Sequence, residues 1–519
     1  LNRALASKVT STTKGSNLFG ESYTTTSETT YTYNKVEWNG HGWNIEAVNG
    51  MQYAGILKDA ITTSITQGKD IWGAEYTTTS KTEYTIINNR ALAWKVYATT
   101  NGFNLFGEEY VTTSTTIYDY YENQTGPHHV FGELRGGFTD SETIGTDLFG
   151  GATETNSHTV YTIINNRAFA WQVITKATGK NLFGEDTSST GTTIYEYYEG
   201  RGPRGTYGEL WKASGSSVNS GTDIWGGAYV TTSTTIYIII HNRAFAKDVY
   251  SVTTGTNLFG ESYATTSTTK YEYHEGLGPN KGVYGELKSA TGTSTTTGTD
   301  IWGASYETTS TTKYTIINNR AMAIHVYAKT TGSNLFGENY TTTSTTDYKY
   351  EFAESNVAAW THGKIYKIAW AETNSTTTGK DIWGAEYTTT SKTEYTIIHN
   401  RPLPLKVTSH TTGSNLFGEI YTTDSITTYE YYPGQSGPRQ VLGELSGATT
   451  TSITTGTDVW GANYVTTSTT TYTIVLNRAL ASKVTSTTKG SNLFGESYTT
   501  TSETTYTYNK VEWNGHGWN

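Results

Sequence analysis

The chain has 519 residues, of which 34% are hydrophobic, 13% aromatic and none cysteine, and its formal net charge is −10. That balance argues against a nucleic-acid groove or an anionic membrane surface as partner. No apolar run approaches the ~20 residues of a membrane span, and the lack of Cys excludes disulfides and thiolate metal sites.

Thr makes up roughly one residue in five, far above average usage, and Tyr numbers 41. Both favour pleated, half-buried surfaces, so composition points to an all-β fold. No signal-peptide pattern opens the chain, which starts inside a repeat and reads as a piece of something longer.

The first 44 residues, Leu1–Asn44, recur letter for letter as Leu476–Asn519, while everything between has drifted. Two half-repeats alternate across that span. One, B, begins Asp-[Ile/Leu/Val]-[Trp/Phe]-Gly at Asp70, Asp147, Asp223, Asp300, Asp381 and Asp458. The other, A, begins Asn-Leu-Phe-Gly-Glu at Asn17, Asn104, Asn181, Asn257, Asn334, Asn415 and Asn492. Every B runs 34 residues; A runs 42 or 43 in four copies, but 53 from Asn17 and 47 from Asn334. The chain thus divides into a partial B repeat at 1–16, A/B repeats at 17–103, 104–180, 181–256, 257–333, 334–414 and 415–491, and the start of a next A at 492–519. The offset between the identical ends, 475 residues, is the sum of six A/B pairs. We read this as one period of a larger tandem array, because repeat arrays extend by stacking.

Within Asp70–Asn89, alternate positions give Trp72, Ala74, Tyr76, Thr78, Ser80, Thr82, Tyr84 and Ile86. The same register in the A copy from Asn104 gives Phe106, Glu108, Tyr110, Thr112, Ser114, Thr116, Tyr118 and Tyr120. The opposite register varies freely. This predicts a strand with one packed and one wet face, some fourteen residues and about 45 Å long at ~3.3 Å per residue. Asn88-Asn89 would form its tip, and Arg90 onward a return strand. Asn101-Gly102, or Thr331-Gly332 in a later copy, would turn into the next strand. Gly at the fourth place of each half-repeat suggests a bulge or close backbone contact. The expected fold is a tandem array of long antiparallel hairpins, a meander stacked as a solenoid or filament-forming sheet; β-propellers are the alternative.

Each B carries Arg twenty residues after its Asp: Asp70/Arg90, Asp147/Arg167, Asp223/Arg243, Asp300/Arg320, Asp381/Arg401 and Asp458/Arg478. A long strand puts these charges at opposite ends, beyond the ~4 Å of an ion pair. Arg is expected instead to meet Glu133, Glu209, Glu286 or Glu444 of the Gly-Glu-Leu segments, and Asp to bond turn amides. No Asp-rich loop offers the roughly 6–8 oxygens that Ca²⁺ needs. No metal or cofactor is expected, and no catalytic signature marks an enzyme.

Two enlarged A loops are candidates for recognition. One carries Trp38, His41 and Trp43; the other Trp360, His362 and Trp370. Trp on a loop can stack on sugars or anchor an interface, though it can also plug a gap or cover the flank of the meander. The expected function is a structural protein at the cell surface or outside the cell, a filament, sheath or stalk whose partner is itself. A carbohydrate-binding or adhesive repeat protein is the alternative, with surface glycans as partner. Ice binding by Thr-x-Thr rows is disfavoured by the charges that interrupt the face carrying Thr77 and Thr79.

Overall fold

A computed structural model describes the chain outside residues 1–3, 17–20, 70–73, 104–108, 147–150, 181–184, 223–226, 257–259, 280–281, 300–302, 334–336, 354–364, 381–383, 415–416, 439–441, 459–460, 476, 492–493 and 509–519. Strand follows strand throughout. First come β1 (Lys8–Ser16), β2 (Ser22–Tyr33), the short β3 (Val36–Trp38) and β4 (Trp43–Ile45), then β5 (Leu57–Lys69), β6 (Glu75–Ile87) and β7 (Arg90–Phe103). Next are β8 (Glu109–Tyr120), β9 (Leu134–Thr146), β10 (Ala152–Ile164), β11 (Arg167–Lys180), β12 (Asp186–Tyr197), β13 (Leu210–Thr222), β14 (Ala228–Ile240) and β15 (Arg243–Thr256). The pattern repeats in β16 (Ser262–Tyr273), β17 (Leu287–Thr299), β18 (Ser305–Ile317), β19 (Arg320–Ser333), β20 (Asn339–Ala353), β21 (Ile365–Lys380), β22 (Glu386–Ile398) and β23 (Arg401–Ser414). The chain closes with β24 (Ile420–Tyr431), β25 (Leu445–Thr457), β26 (Asn463–Val475), β27 (Arg478–Ser491) and β28 (Ser497–Thr505).

All but β3 and β4 form one 26-stranded sheet. Each strand lies antiparallel to the ones before and after it, so the chain is a continuous meander and not a propeller of separate blades. The alternation seen in the sequence sets its register. Ser27, Ser64, Ser80, Ala98, Ser114, Ser141 and Ser157 stand opposite one another on successive strands, and the row of small residues runs on to Ser502. Thr rows flank it. Hydroxyls bridge the strands, as in Ser64–Ser80 at 2.7 Å, Thr78–Thr100 at 2.8 Å and Thr112–Thr143 at 2.8 Å. Such cross-strand pairs contribute about 0.2–1 kcal/mol each, so they matter through repetition.

Beyond one Thr row, Tyr alternates with Gly. Gly68, Tyr76, Gly102 and Tyr110 are successive partners, and so are Tyr306, Gly332 and Tyr340. Each ring lies across the neighbouring glycine: a Cβ on Gly332 would sit 2.6 Å from the Tyr340 hydroxyl. The expected turns at Asn101-Gly102 and Thr331-Gly332 are therefore corrected. Gly102 lies inside β7 and Gly332 inside β19, because the tyrosine needs a bare strand to cover. The chain reverses only after these strands, between β7 and β8 and between β19 and β20, at the rim where the strands are linked by the Asn-Leu-Phe-Gly and Asp-Ile-Trp-Gly segments. Their glycines, where described, have left-handed φ (83° at Gly260, 86° at Gly461), which corrects the expected bulge.

The opposite ends of the hairpins follow the expectation at their tips. Asn88 and Asn89 have φ of 49° and 60° between the paired Ile87 and Arg90, the geometry of a two-residue type I′ turn. Bulges sit just below. Glu83 faces Lys95 and Tyr84 faces Ala93, leaving Trp94 extra. The tyrosine ending the following A strand donates its hydroxyl to the carbonyl before the bulge. Tyr120 to Ala93 at 2.6 Å, Tyr197 to Ala170 at 2.7 Å and Tyr273 to Ala246 at 2.8 Å are three instances.

The buried apolar residues cluster at this end, among them Leu57, Ala60, Leu134, Leu210, Ala213, Leu287, Ala290 and Leu445. The Thr-Ser-Thr face is only half-buried and, among the described residues, no second sheet packs on it. The expected close-packed layer is thus corrected to a single sheet stabilised within its own plane.

That sheet is strongly curled. Arg243 meets Glu21 at 3.7 Å, Arg401 meets Glu185 at 3.1 Å and Arg478 meets Glu261 at 3.9 Å. Between Glu21 and Arg243 lie eleven strands of the sheet, β2 and β5 to β14; between Glu185 and Arg401, β12 to β22; between Glu261 and Arg478, β16 to β26. Laid flat, eleven strands and one strand length would separate each pair by about 70 Å. The ribbon must coil back on itself once in about eleven strands, with a strand tilt of roughly 40°, as in closed barrels. Strand ends meet across the coil, so the tip arginines of one turn reach the glutamates that follow the Asn-Leu-Phe-Gly segments of another.

Candidate functional site

The contact between coil turns is built from two short motifs. On one rim, the type I′ tip places Arg at the first residue of the return strand. On the other, Glu follows the glycine of the Asn-Leu-Phe-Gly segment, which is left-handed at Gly260 before Glu261. The arginines keep 44 to 49% of their side-chain surface exposed in the three ion pairs. Exposed pairs contribute about 0.2–1 kcal/mol each, so this interface fixes register through a repeated weak contact.

The expected partners of the arginines are corrected. Glu133, Glu209 and Glu286 are 2%, 4% and 1% exposed, and they cap the loops in which they lie. Glu209 accepts the amides of Arg204 and Thr206 at 3.0 Å each and the Thr206 hydroxyl at 2.8 Å. Glu133 takes the His128 amide at 3.0 Å and the His128 ring; Glu286 takes the Val283 amide at 3.4 Å. Burial pushes the Glu133 and Glu209 carboxyls up, but these hydrogen bonds outweigh it and hold both below the usual carboxylate range. Glu444 is buried at the matching position. Glu133, Glu209 and Glu286 are thus engaged by their own loops, while Arg243, Arg401 and Arg478 reach the turn glutamates.

The other charges of the Asp/Arg series fall as follows. Asp70, Asp147, Asp223, Asp300 and Asp381 lie outside the described residues. Asp458 bonds its turn as expected: its carboxylate accepts the Ala462 amide at 2.8 Å, and its carbonyl accepts the Gly461 amide at 3.0 Å. Arg167 lies 6.0 Å from the centre of the Phe169 ring. Arg90 and Arg320 occupy the same first place in β7 and β19.

Of the aromatic candidates, Trp38 and Trp43 face each other across the β3–β4 hairpin, edge to face at 5.4 Å between ring centres, and are 59% and 55% exposed. The carboxamide of Asn39 shapes the turn by accepting the amides of His41 and Gly42. These rings project outward and do not plug a gap. Trp360 and His362 lie outside the described residues, whereas Trp370 is on β21 with the Lys349 ammonium 4.7 Å above its ring. The two candidate loops are thus not shown to share a site. Exposed Trp94, Trp171 and Trp211 were not singled out from the sequence. Each is the extra residue of a bulge, which period-two reading passes over.

Among the described residues, no group of three or more His, Asp and Glu could hold a metal ion. No helix there is long and apolar enough to cross a membrane. No protein-family model matches the chain, and comparison with curated proteins finds no match.

Proposed function

We propose that the chain is a structural repeat protein that builds a long filament, sheath or stalk, outside the cell or at its surface, by tandem repetition of its 475-residue unit. The observation that carries this reading is the recurrent tip-to-turn ion pair eleven strands apart. It makes each turn of the coil a platform for another. The chemistry is otherwise that of a wall: hydroxyl ladders, tyrosines laid over glycines, and carboxylates spent on their own loops. We assign no catalytic role to any residue.

Electron microscopy of the protein at rising concentration tests the reading. We expect filaments of uniform width, set by the coil. Discrete 56.9 kDa particles under every condition would end it.

A second reading has its own observation. The paired Trp38 and Trp43, with Trp94, Trp171 and Trp211, leave large apolar faces in water, as residues that stack on sugars do. On this reading the filament is also adhesive toward surface glycans, and Trp38→Ala with Trp43→Ala lowers glycan binding while assembly is unchanged.

A further inference from the structure

A bulge leaves one residue outside the ladder of the return strand. Glu196 faces Lys212 and Tyr197 faces Leu210, so Trp211 is extra in β13. Ile236 faces Asp248 and Tyr237 faces Ala246, so Lys247 is extra in β15. In the corresponding hairpins, β25 and β27 carry Ser446 and Ser482 at these places. The fold thus accepts serine where it holds a Trp that is 56% exposed and an exposed Lys.

Both residues line one open pocket of about 560 Å³ at the tip end of β13 to β15. Its size lies within the ~300–1,000 Å³ of small-ligand sites. Exposed Ile236 and Ile238 lie in it too, and the Tyr198 ring centre is 6.4 Å from that of Trp211. Arg204 and Lys212 add two cations to that of Lys247. Two carboxylates answer the three: Glu196 lies 3.3 Å from Lys212, and Glu209 lies 3.6 Å from Arg204. Glu209, 4% exposed and bound by the amides of its own loop, presents little of its charge. Asp248, next to Lys247, stands opposite Lys270 on β16. A ligand therefore meets a flat apolar ring beside an excess of positive charge.

We infer that this pocket binds a uronate, a sugar ring carrying a carboxylate, within an acidic polysaccharide. The C–H face of the ring stacks on Trp211, and its carboxylate accepts charge-assisted hydrogen bonds from Lys247 and Arg204. The inference rests on the glycan reading, and names for it a sugar and a site apart from Trp38 and Trp43. A single-stranded nucleic acid also stacks on aromatic rings, but it asks for a positive groove along its backbone. These cations gather at one pocket of a chain whose net charge is −10.

The test applies the full-length protein to an array of neutral and uronate-bearing glycans. Titration with galacturonate oligomers, their methyl esters and oligothymidylate follows. We expect the uronates to be retained, and the acid oligomer to bind about tenfold more tightly than the ester, the worth of one charge-assisted hydrogen bond. Trp211→Ser should lower affinity for both forms and Lys247→Ser should reduce the difference between them, with circular dichroism unchanged. If no glycan is retained, the glycan reading falls and the site with it. If glycans are retained but acid and ester bind alike, or both serine variants bind as the wild type does, only the site is overturned. Tighter binding of oligothymidylate overturns it in favour of a nucleic acid.

Discussion

Tyr120 shows how a chain this poor in apolar residues holds its strands. Its half-buried ring ends β8, and its hydroxyl satisfies the Ala93 carbonyl beside a bulge. Burial, aided by the neighbouring Tyr118, pushes its ionisation up to about 12. The equivalent Tyr197, Tyr273 and Tyr431 are pushed up to about 12 for the same reasons. An unfolded tyrosine ionises near ~10. Folding therefore holds these groups neutral, a contribution fully present below pH ~10 and lost as pH rises through about 12. We expect alkaline unfolding in that window, with tyrosinate absorbance rising as the far-ultraviolet dichroism falls. Tyrosines that all ionise near pH 10 with strands intact would contradict it. The sign is opposite for Glu133 and Glu209: their contribution is present above the ordinary carboxylate range and fades as pH falls below it. At this scale the sequence showed the Thr, Ser and Tyr rows through their period of two. It hid the pairing of Tyr with Gly, because Asn101-Gly102 is a strong local turn signal that ring cover overrides.

The hairpin is the unit in which the sequence was most legible. Tip, return strand and meander order all follow from Asn pairs between alternating runs. The bulges were not visible, since one extra residue at Trp94 or Trp171 looks like ordinary strand. Nor was the second task of the tip Asn. The Asn242 carboxamide oxygen accepts the buried Leu210 amide at 2.5 Å, and Asn89, Asn166, Asn319, Asn400 and Asn477 make the equivalent bond. Asn242 thus joins a B tip to the preceding A hairpin from a backbone at φ 67°. Asn242→Ala should lose both the bond, at about 1–3 kcal/mol for a buried unpaired amide, and the tolerance for left-handed φ, at roughly 1–2 kcal/mol. Asn242→Gly should lose only the first. Hydrogen exchange across β13 to β15 measures the difference. Equal loss for Ala and Gly would mean that backbone strain contributes nothing, and no loss for Gly would remove the bond from the account.

At the scale of the whole molecule, a twisted ribbon becomes a coil because its rims are complementary. The arginines and glutamates concerned were in plain view as periodic residues, yet the sequence directed the arginines to the wrong carboxylates. Sequence spacing reports neighbours along the ribbon, whereas this contact depends on curvature accumulated over eleven strands. Curvature from strand twist and attraction between rims are separable contributions. Changing Arg243, Arg401 and Arg478 together to Glu places like charges against Glu21, Glu185 and Glu261 without touching a ladder hydrogen bond. We expect the far-ultraviolet dichroism to stay that of the wild type, while amide exchange quickens in the turns that carry those three glutamates. The difference should shrink in ~1 M salt, where charges interact over only about 3 Å. Exchange identical to the wild type at low salt would mean that sheet curvature alone brings the rims together, and that the ion pairs merely record the pitch of the coil.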